Sequence, residues 1–332
     1  MIEISFTPPA LLIFYYRFIG LISIIFNSFA LYLIMFKGIK MDNFKYYLLS
    51  FQIVCTCIDI HLTFFMQPVG LFPLVAGYSN GILAIYFNIS SQVLVSVADL
   101  FIAFQTSSLT LCFLRKHQAI AKISKTQVMS RATWILIILT LITVSVVIAV
   151  TFYLSGISTS EGFEYISEKY PEFYSNFLQL HNFAIYKMSN IVLFSMCLIV
   201  LHGFVCVNTI VYTTSQMFKM LKFNLLRISA SSYDKHRAAL KSLVAQFMTS
   251  SLCLIPPVIL SAGIMLEFEN LQVLSHFLLA IFSTHSTANV IVMIVTFPAY
   301  RRFVLFWKKS PVLMTTSYSI ALRQTMISSN KF

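Results

Sequence analysis

The sequence predicts an all-α membrane protein: a seven-helix transmembrane bundle with its N-terminus outside and its C-terminus inside. Three observations predict it. First, 58 % of the 332 residues are hydrophobic and only 10 % are charged, with Phe alone filling 32 positions. Soluble domains lie far from this balance. Second, the apolar residues gather into seven long stretches almost free of charge, each near the roughly 20 residues that cross about 30 Å of hydrocarbon. Third, the spacers between the stretches alternate in charge. Of the 23 lysines and arginines, 20 fall after the first, third and fifth stretches or in the tail, and the rest are Arg17, Lys169 and Lys187. Glu3, Glu161, Glu164, Glu168, Glu172, Glu267 and Glu269 lean to the opposite side. Loops rich in Lys and Arg stay in the cytoplasm, which sets the orientation.

Each helix follows from its apolar run and its stop signals. Helix 1 covers 14–36 and ends at Lys37. Helix 2 covers 46–67, and Pro68 and Pro73 then turn the chain toward Gly77. Helix 3 runs over 81–114 and stops at Arg115-Lys116-His117. It would extend about 50 Å, so it must tilt or protrude. Helix 4 covers 132–155 and ends at Gly156, and an outer loop fills 156–187. Helix 5 covers 188–214, and helix 6 covers 242–266. Pro256 and Pro257 lie inside helix 6; each removes an internal hydrogen bond and predicts a kink, either a lever or a static bend. Helix 7 covers 276–300 and stops at Arg301-Arg302. The expected organisation is one receptor-like membrane domain over 1–302 and a basic Ser/Thr-containing cytoplasmic tail over 303–332.

Composition also excludes functions. The net charge of +12 fits cytoplasmic loops facing an anionic leaflet, and no basic-aromatic domain outside the membrane invites nucleic acid. The six cysteines all fall in or at the inner ends of apolar stretches, so no disulfide framework is expected. Cys55-x-Cys57 reads as buried small side chains rather than a metal site. The N-terminus carries Glu3 and no basic region before its apolar run, unlike a signal peptide. No His-Glu-x-x-His exists, and no lysine lies within 276–300 to hold a retinal Schiff base. No enzyme activity, resident cofactor or metal is expected. Asn88-Ile89-Ser90 matches the glycosylation pattern, but its expected place inside helix 3 discounts it.

Polar residues in hydrocarbon cost energy, so their positions carry information. Asn88, Gln92, Ser96, Asp99, Thr106 and Thr110 recur at helical spacing and share one face of helix 3. His285, Asn289 and Thr296 stripe helix 7, and helix 2 contributes Asp59 and His61. Asp59, Asp99 and Asn289 share a mid-membrane depth without a Lys or Arg beside them. Three answers stay open: a protonated acid, a bound sodium ion, or a counter-charge on His61 or His285. Such a polar core either biases two packings of the bundle or only glues helices at about 1 kcal/mol per contact. On the outer side, Tyr86, Phe87, Asn88, Gln92 and His181 are candidate ligand-lining residues. On the inner side, the basic loops 115–131 and 215–241 adjoin helices 3, 5 and 6. The tail offers hydroxyls whose phosphorylation would place negative charge beside those loops.

Three segments carry a family resemblance: residues 43–81, FLRKHQAI at 113–120 and HSTANVIVMIVTFPAYRRF at 285–303. Their combination of Gln52-Ile53, Phe-Pro-x-x-Ala-Gly-Tyr at 72–78 and Pro298-x-Tyr300-Arg301 resembles the nematode serpentine chemoreceptors. The match is to the class I and class H group of the Str superfamily, with class I the closer. The resemblance spans nearly the whole chain. It implies a G-protein-coupled receptor for a small chemical ligand, displayed on the plasma membrane of sensory neurons, in their cilia. It places Arg115, Lys116, His117 and Gln118 where better-known receptors carry Asp-Arg-Tyr, and with Lys241, Tyr300 and Arg301 they are candidates for facing a heterotrimeric G protein. The Asn-Pro-x-x-Tyr of helix 7 and the bridge from helix 3 to the second outer loop are missing here, so the activation mechanism of rhodopsin-like receptors is not carried over.

Two other functions compete with that expectation. A seven-helix ligand-gated channel of inverted topology would put the N-terminus inside, against the charge asymmetry. A transporter would often show internal repeats and interrupted helices in matching halves, and seven helices cannot form two equal halves.

Overall fold

The computed structural model describes residues 4–37, 43–126, 128–180, 182–223, 230–251, 259–260, 263, 268 and 271–304. Helix α1 spans Ala10–Tyr32 and continues as a π-helical turn over Leu33–Lys37. Helix α2 spans Phe44–Ile60 and ends in a second π-helical turn, His61–Met66. Strands β1 (Pro68–Gly70) and β2 (Ala76–Ser79) follow, then the single turn α3 (Ile82–Ile85). The long helices α4 (Ser91–Ile123) and α5 (Arg131–Ser155) come next. The second outer loop folds into α6 (Thr159–Lys169), a 3-10 turn (Pro171–Phe173), α7 (Tyr174–Leu178) and β3 (Phe183–Ile185). Helix α8 is Asn190–Phe223, and α9 is Ala230–Ser251. The last span is α10 (Leu271–Ser283) with α11 (His285–Thr296), followed by α12 (Pro298–Val304).

Six helical segments among the described residues are long and apolar enough to cross a membrane: Ala10–Lys37, Phe44–Met66, Ser91–Ile123, Arg131–Ser155, Asn190–Phe223 and Leu271–Thr296. The expected sixth span, 242–266, is described mainly in its inner half, within α9. Pro256 and Pro257 lie outside the described residues, as does the tail from 305.

Several expected boundaries shift, each for a local reason. Helix 3 does not run unbroken from 81. Asn88 adopts a left-handed backbone with φ 53°, and Ser90 caps a new helix by accepting from the Val93 N–H at 3.3 Å. Asn88-Ile89-Ser90 therefore lies in the link between α3 and α4, outside any helix. Helix 5 runs on to Phe223, and helix 6 starts at Ala230 rather than 242, because both continue beyond the apolar run. Helix 7 is interrupted twice. Ser283 and Thr284 hydroxyls bond back to the carbonyls of Ala280 and Ile281 at 2.8 and 2.7 Å, a habit that bends helices. Pro298 then forces Phe297 into extended backbone and opens α12.

Helix α4 is the axis. It packs against α2, α5, α8 and α9. Helix α5 buries only Ser145, Ile148 and Ser155, so most of its surface faces lipid. The apolar interior stacks in three clusters. One at the inner end joins Leu33, Phe51, Phe113, Met217, Leu240 and Tyr300. A middle one joins Ile58, Leu62, Leu94, Ala98 and Phe282. The outer one joins Tyr16, Leu71, Ile166, Phe177 and Ile185.

The outer end carries a small lid. Strands β1, β2 and β3 form an antiparallel sheet, with Val69 opposite Tyr78 and Gly77 opposite Ala184. Main-chain bonds thus join the first outer loop to the second. Gly81 allows the tight return: a Cβ there would meet the Phe65 carbonyl oxygen at 2.3 Å. Ser158 starts α6 with a capping box, its hydroxyl and the Glu161 carboxylate each satisfying the other's backbone N–H. Gly156-Ile157-Ser158 is thus a helix boundary.

Candidate functional site

A buried polar network sits between the middle and inner layers. Ser23 and Asn27 lie one turn apart on α1, both almost fully enclosed. The Ser23 hydroxyl donates to Asp59 Oδ2. Asn27 Nδ2 donates to the same oxygen at 3.1 Å and to Ser23 Oγ at 2.7 Å. Asn27 Oδ1 accepts from Gln52 Nε2 at 2.6 Å and from the Ser286 hydroxyl at 2.8 Å. His285 Nδ1 lies 3.8 Å from Asp59 Oδ1 and 2.9 Å from the Phe282 carbonyl. Asn289 Nδ2 donates to Ser250 Oγ at 2.8 Å. The set ties α1 and α2 to α11, and α11 to α9. Asp59 Oδ1, His285 Nε2 and Asn289 Oδ1 are buried without a hydrogen-bond partner.

The polar residues expected at one depth divide into separate places. Asp59, His285 and Asn289 converge in or beside the network. His61 turns away: its Nε2 bonds the Leu94 carbonyl at 2.8 Å, and its ring meets Phe101 edge-on at 5.8 Å. Its i, i+2 spacing from Asp59 points it to another face of the helix. Ser96 spends its hydroxyl on the Gln92 carbonyl at 2.8 Å. Asp99 stands apart, with its Oδ2 buried and unpartnered. A second polar cluster escaped sequence reasoning. His202 Nε2 on α8 lies 3.2 Å from Thr106 Oγ1 and 3.3 Å from Ser107 Oγ, and Ser107 reaches Ser145 at 3.2 Å. A lone His in the apolar run of helix 5 was the signal. Asn27 and Gln52, amides in apolar runs, were equally open to notice.

The outer candidates do not gather. Tyr86 and Phe87 are 80 % and 67 % exposed, and Asn88 is exposed beside them. The break before α4 turns these three outward, where aromatic rings suit a membrane interface. Gln92 Nε2 donates to the Tyr153 carbonyl at 2.5 Å. His181 lies outside the described residues. A cavity of about 440 Å³ opens instead among the N-terminal segment, β2, α3 and the second outer loop. Its wall includes Phe6, Tyr78, Asn80, Asn176, Gln179 and Asn182. Asn182 also anchors the lid: its Oδ1 accepts from the Ser91 N–H at 2.9 Å, and its Nδ2 donates to the Ile89 carbonyl. Gln272 holds the N-terminal segment, donating to the Ser5 carbonyl at 2.7 Å and accepting from the Ser5 N–H at 2.9 Å.

The inner candidates fall into three groups. Lys241 and Arg301 are exposed. Lys116, Gln118 and Tyr300 are buried. Lys116 Nζ lies 5.2 Å from the Phe44 ring, and Gln118 Oε1 accepts from the Met129 N–H at 2.8 Å. Tyr300 stacks on Phe297 at 4.9 Å. Arg115 and His117 are half-buried, and Arg115 sits 5.8 Å from the Tyr47 ring, which Trp134 also meets through a 2.9 Å bond to its hydroxyl. Among the described residues, no group of His, Cys, Asp and Glu is arranged to hold a metal ion.

The described architecture matches a known family. The model of the serpentine type seven-transmembrane chemoreceptor family Sri, a family of G-protein-coupled-receptor type, matches residues 2–304. The chain belongs to the Sri chemoreceptor family. The class I resemblance read from its motifs is thereby settled, and with it a nematode chemoreceptor embedded in a membrane by multiple spans. No curated protein matches the chain. The crystal structure of squid rhodopsin is similar in fold, with a TM-score of 0.56 and 14 % identity over 91 % of this chain and 87 % of that one. That likeness supplies the seven-helix frame for this Sri receptor.

Proposed function

We propose that this Sri receptor binds a small chemical ligand from the outer side and signals to a heterotrimeric G protein at its inner face. The observation that carries the reading is the buried network around Asp59, set between a cavity-bearing lid and a basic inner surface. Orphaned oxygens in a membrane interior are costly. A second packing that satisfies them differently is a natural alternative state, and a ligand preferring one packing shifts the population. Two sources of positive charge suit Asp59. A sodium ion would take the orphaned Asp59 Oδ1 and Asn289 Oδ1. Alternatively, a proton on His285 would complete the pair already at 3.8 Å.

The inner face supports the G-protein assignment through its exposed cations, Lys241 and Arg301, and the basic spacers beside them. Lys116, Gln118 and Tyr300 act by holding the inner ends together, not by touching the partner. The tail over 303–332 is assigned to the cytoplasm, and the receptor to the plasma membrane of sensory cilia. No catalysis is assigned.

The test has two parts. Tags at both ends are stained in cultured cells before and after permeabilisation, and G-protein activation is recorded while volatile and water-soluble chemicals are applied. The expected result is an N-terminal tag visible on intact cells, a C-terminal tag visible only after permeabilisation, and a ligand response lost in Arg301→Glu. A hidden N-terminus, or ligand-gated current without G-protein activation, overturns the reading in favour of an inverted channel.

A further inference from the structure

The outer cavity is walled by segments that lie far apart in the chain: the N-terminal segment, β2, α3 and the second outer loop. Its volume of about 440 Å³ falls within the roughly 300–1,000 Å³ of small-molecule sites. Among the described residues, its wall carries no Lys, Arg, His, Asp or Glu. The polar part of the wall is neutral, with the carboxamides of Asn80, Asn176 and Gln179 and the hydroxyls of Tyr78 and Ser79. The apolar part includes Phe6, Ile85 and Leu180. Most of the wall's deeper polar groups are already committed. The Tyr78 hydroxyl donates to the Phe6 carbonyl at 3.2 Å and so ties the N-terminal segment to β2. Asn182 spends both ends of its carboxamide, on the Ser91 N–H and the Ile89 carbonyl. Ser79 differs. Its backbone is fixed in the sheet opposite Pro68, and the N–H groups of Asn80 and Gly81 bond the Gln67 and Met66 carbonyls at 3.1 and 2.9 Å. Its hydroxyl is buried without a hydrogen-bond partner. A buried hydroxyl left unpaired is costly.

From this wall we infer that the outer cavity binds an uncharged molecule with an apolar body and a hydroxyl or carbonyl oxygen, and that Ser79 donates to that oxygen. A charged ligand would leave water without meeting a counter-charge among the described wall residues, which is the most costly kind of transfer. An alkane would leave the Ser79 hydroxyl and the carboxamides unsatisfied. An oxygen compound avoids both costs. The Ser79 side chain needs only a change of rotamer to offer its proton to a ligand in the cavity. Each carboxamide has a donor and an acceptor, so it takes a ligand hydroxyl in either sense. Phe6, Ile85 and Leu180 cover the hydrocarbon part of the ligand. The inference rests on the reading of this chain as a ligand-binding receptor, and it names the ligand class. A ligand in this position also adds a link among the N-terminal segment, β2 and the second outer loop.

The test uses the full chain, purified in lipid nanodiscs, and reads binding by thermal shift without any G protein. The probes are hexanol, hexanone, hexylamine, hexanoic acid and hexane, which share one carbon count and differ in the polar group. The expected result is that hexanol and hexanone stabilise the receptor at concentrations at least about 10-fold below those the other three require. Ser79→Ala is expected to weaken hexanol and hexanone about 3- to 10-fold. It is expected to leave the melting temperature of the empty receptor unchanged, because the hydroxyl has no partner to lose. Gln179→Leu, at an exposed position, carries the test if Ser79→Ala fails to fold, and is expected to narrow the preference for hexanol over hexane. Equal binding of all five probes overturns the assignment, as does a preference for the amine, the acid or the alkane. So does the absence of hexanol and hexanone binding to a folded receptor, or binding untouched by Ser79→Ala or, should that variant not fold, by Gln179→Leu. G-protein activation by charged chemicals alone overturns the ligand class and leaves the signalling reading. Hexanol binding that never couples to a G protein overturns the signalling reading and leaves the ligand class.

Discussion

Asp59 shows how a single charge is managed inside hydrocarbon. Its Oδ2 accepts from Ser23 and Asn27, while its Oδ1 has His285 Nδ1 at 3.8 Å and no hydrogen bond. The two oxygens therefore have different work. Asp59→Ala removes the acceptor of both donors. Buried donors without partners cost about 1–3 kcal/mol, so the purified receptor is expected to melt at a lower temperature and reach the surface less. Asp59→Asn keeps a neutral acceptor and the shape. It is expected to fold, but to change basal G-protein activity and lose any response to sodium. If Asp59→Asn matches the wild type in expression, basal signalling and sodium response, the network is only structural glue. At this scale the sequence marked Asp59, Asp99 and Asn289, because acids and amides stand out in apolar runs. Ser23 and Ser286 stayed silent: a serine in a membrane helix commonly bonds its own backbone, and only a neighbouring helix decides otherwise.

Helices were legible, and their interruptions were not. The apolar runs of α1, α2 and α5 fix those spans closely, since lipid demands continuous backbone bonding. The break at Asn88 was hidden because residues 82–87 are as apolar as the helix that follows. A cap decides it, and Ser90 looks like any serine until its hydroxyl meets the Val93 N–H. The α6 cap can be tested by pH. Bonds from the Ser158 N–H and hydroxyl hold the Glu161 carboxyl below its ordinary value of 4.5. A depressed folded value means that the contribution is present above the unfolded value and lost as pH falls through the folded one. Hydrogen exchange over 159–169, corrected for intrinsic rate, is expected to be steady from neutral pH down to about 5 and to accelerate below about 4.5. Glu161→Gln is expected to flatten that dependence. Ser158→Ala is expected to raise exchange at all pH, by about 0.5–2 kcal/mol of helix stability. Unchanged exchange in Ser158→Ala would show that the lid, not the cap, holds α6.

The whole molecule is a stack: an apolar inner layer, a polar network, a middle layer, and an outer cluster closed by the lid. No disulfide joins the described cysteines, so hydrogen bonds and the β1–β2–β3 sheet close the outer end. Asn182 and Gln272 tie separate segments to it, the second outer loop and the N-terminal segment. Their alanine variants are each expected to cost about 1–3 kcal/mol in thermal stability and, since they share no partner, to add within about 0.5 kcal/mol in the double variant. Strong non-additivity would mean that the lid opens as one unit. The sequence by itself determined the class of protein and the number of spans. Hydrophobic length and Lys/Arg asymmetry act on each segment against the bilayer, independently of its neighbours. Its motifs also placed the family. Only the tertiary structure decided which polar residues meet, and that His61 leaves Asp59 while Asn27 joins it. Those outcomes depend on helix rotation and on contacts between residues far apart in the chain, which no local pattern encodes.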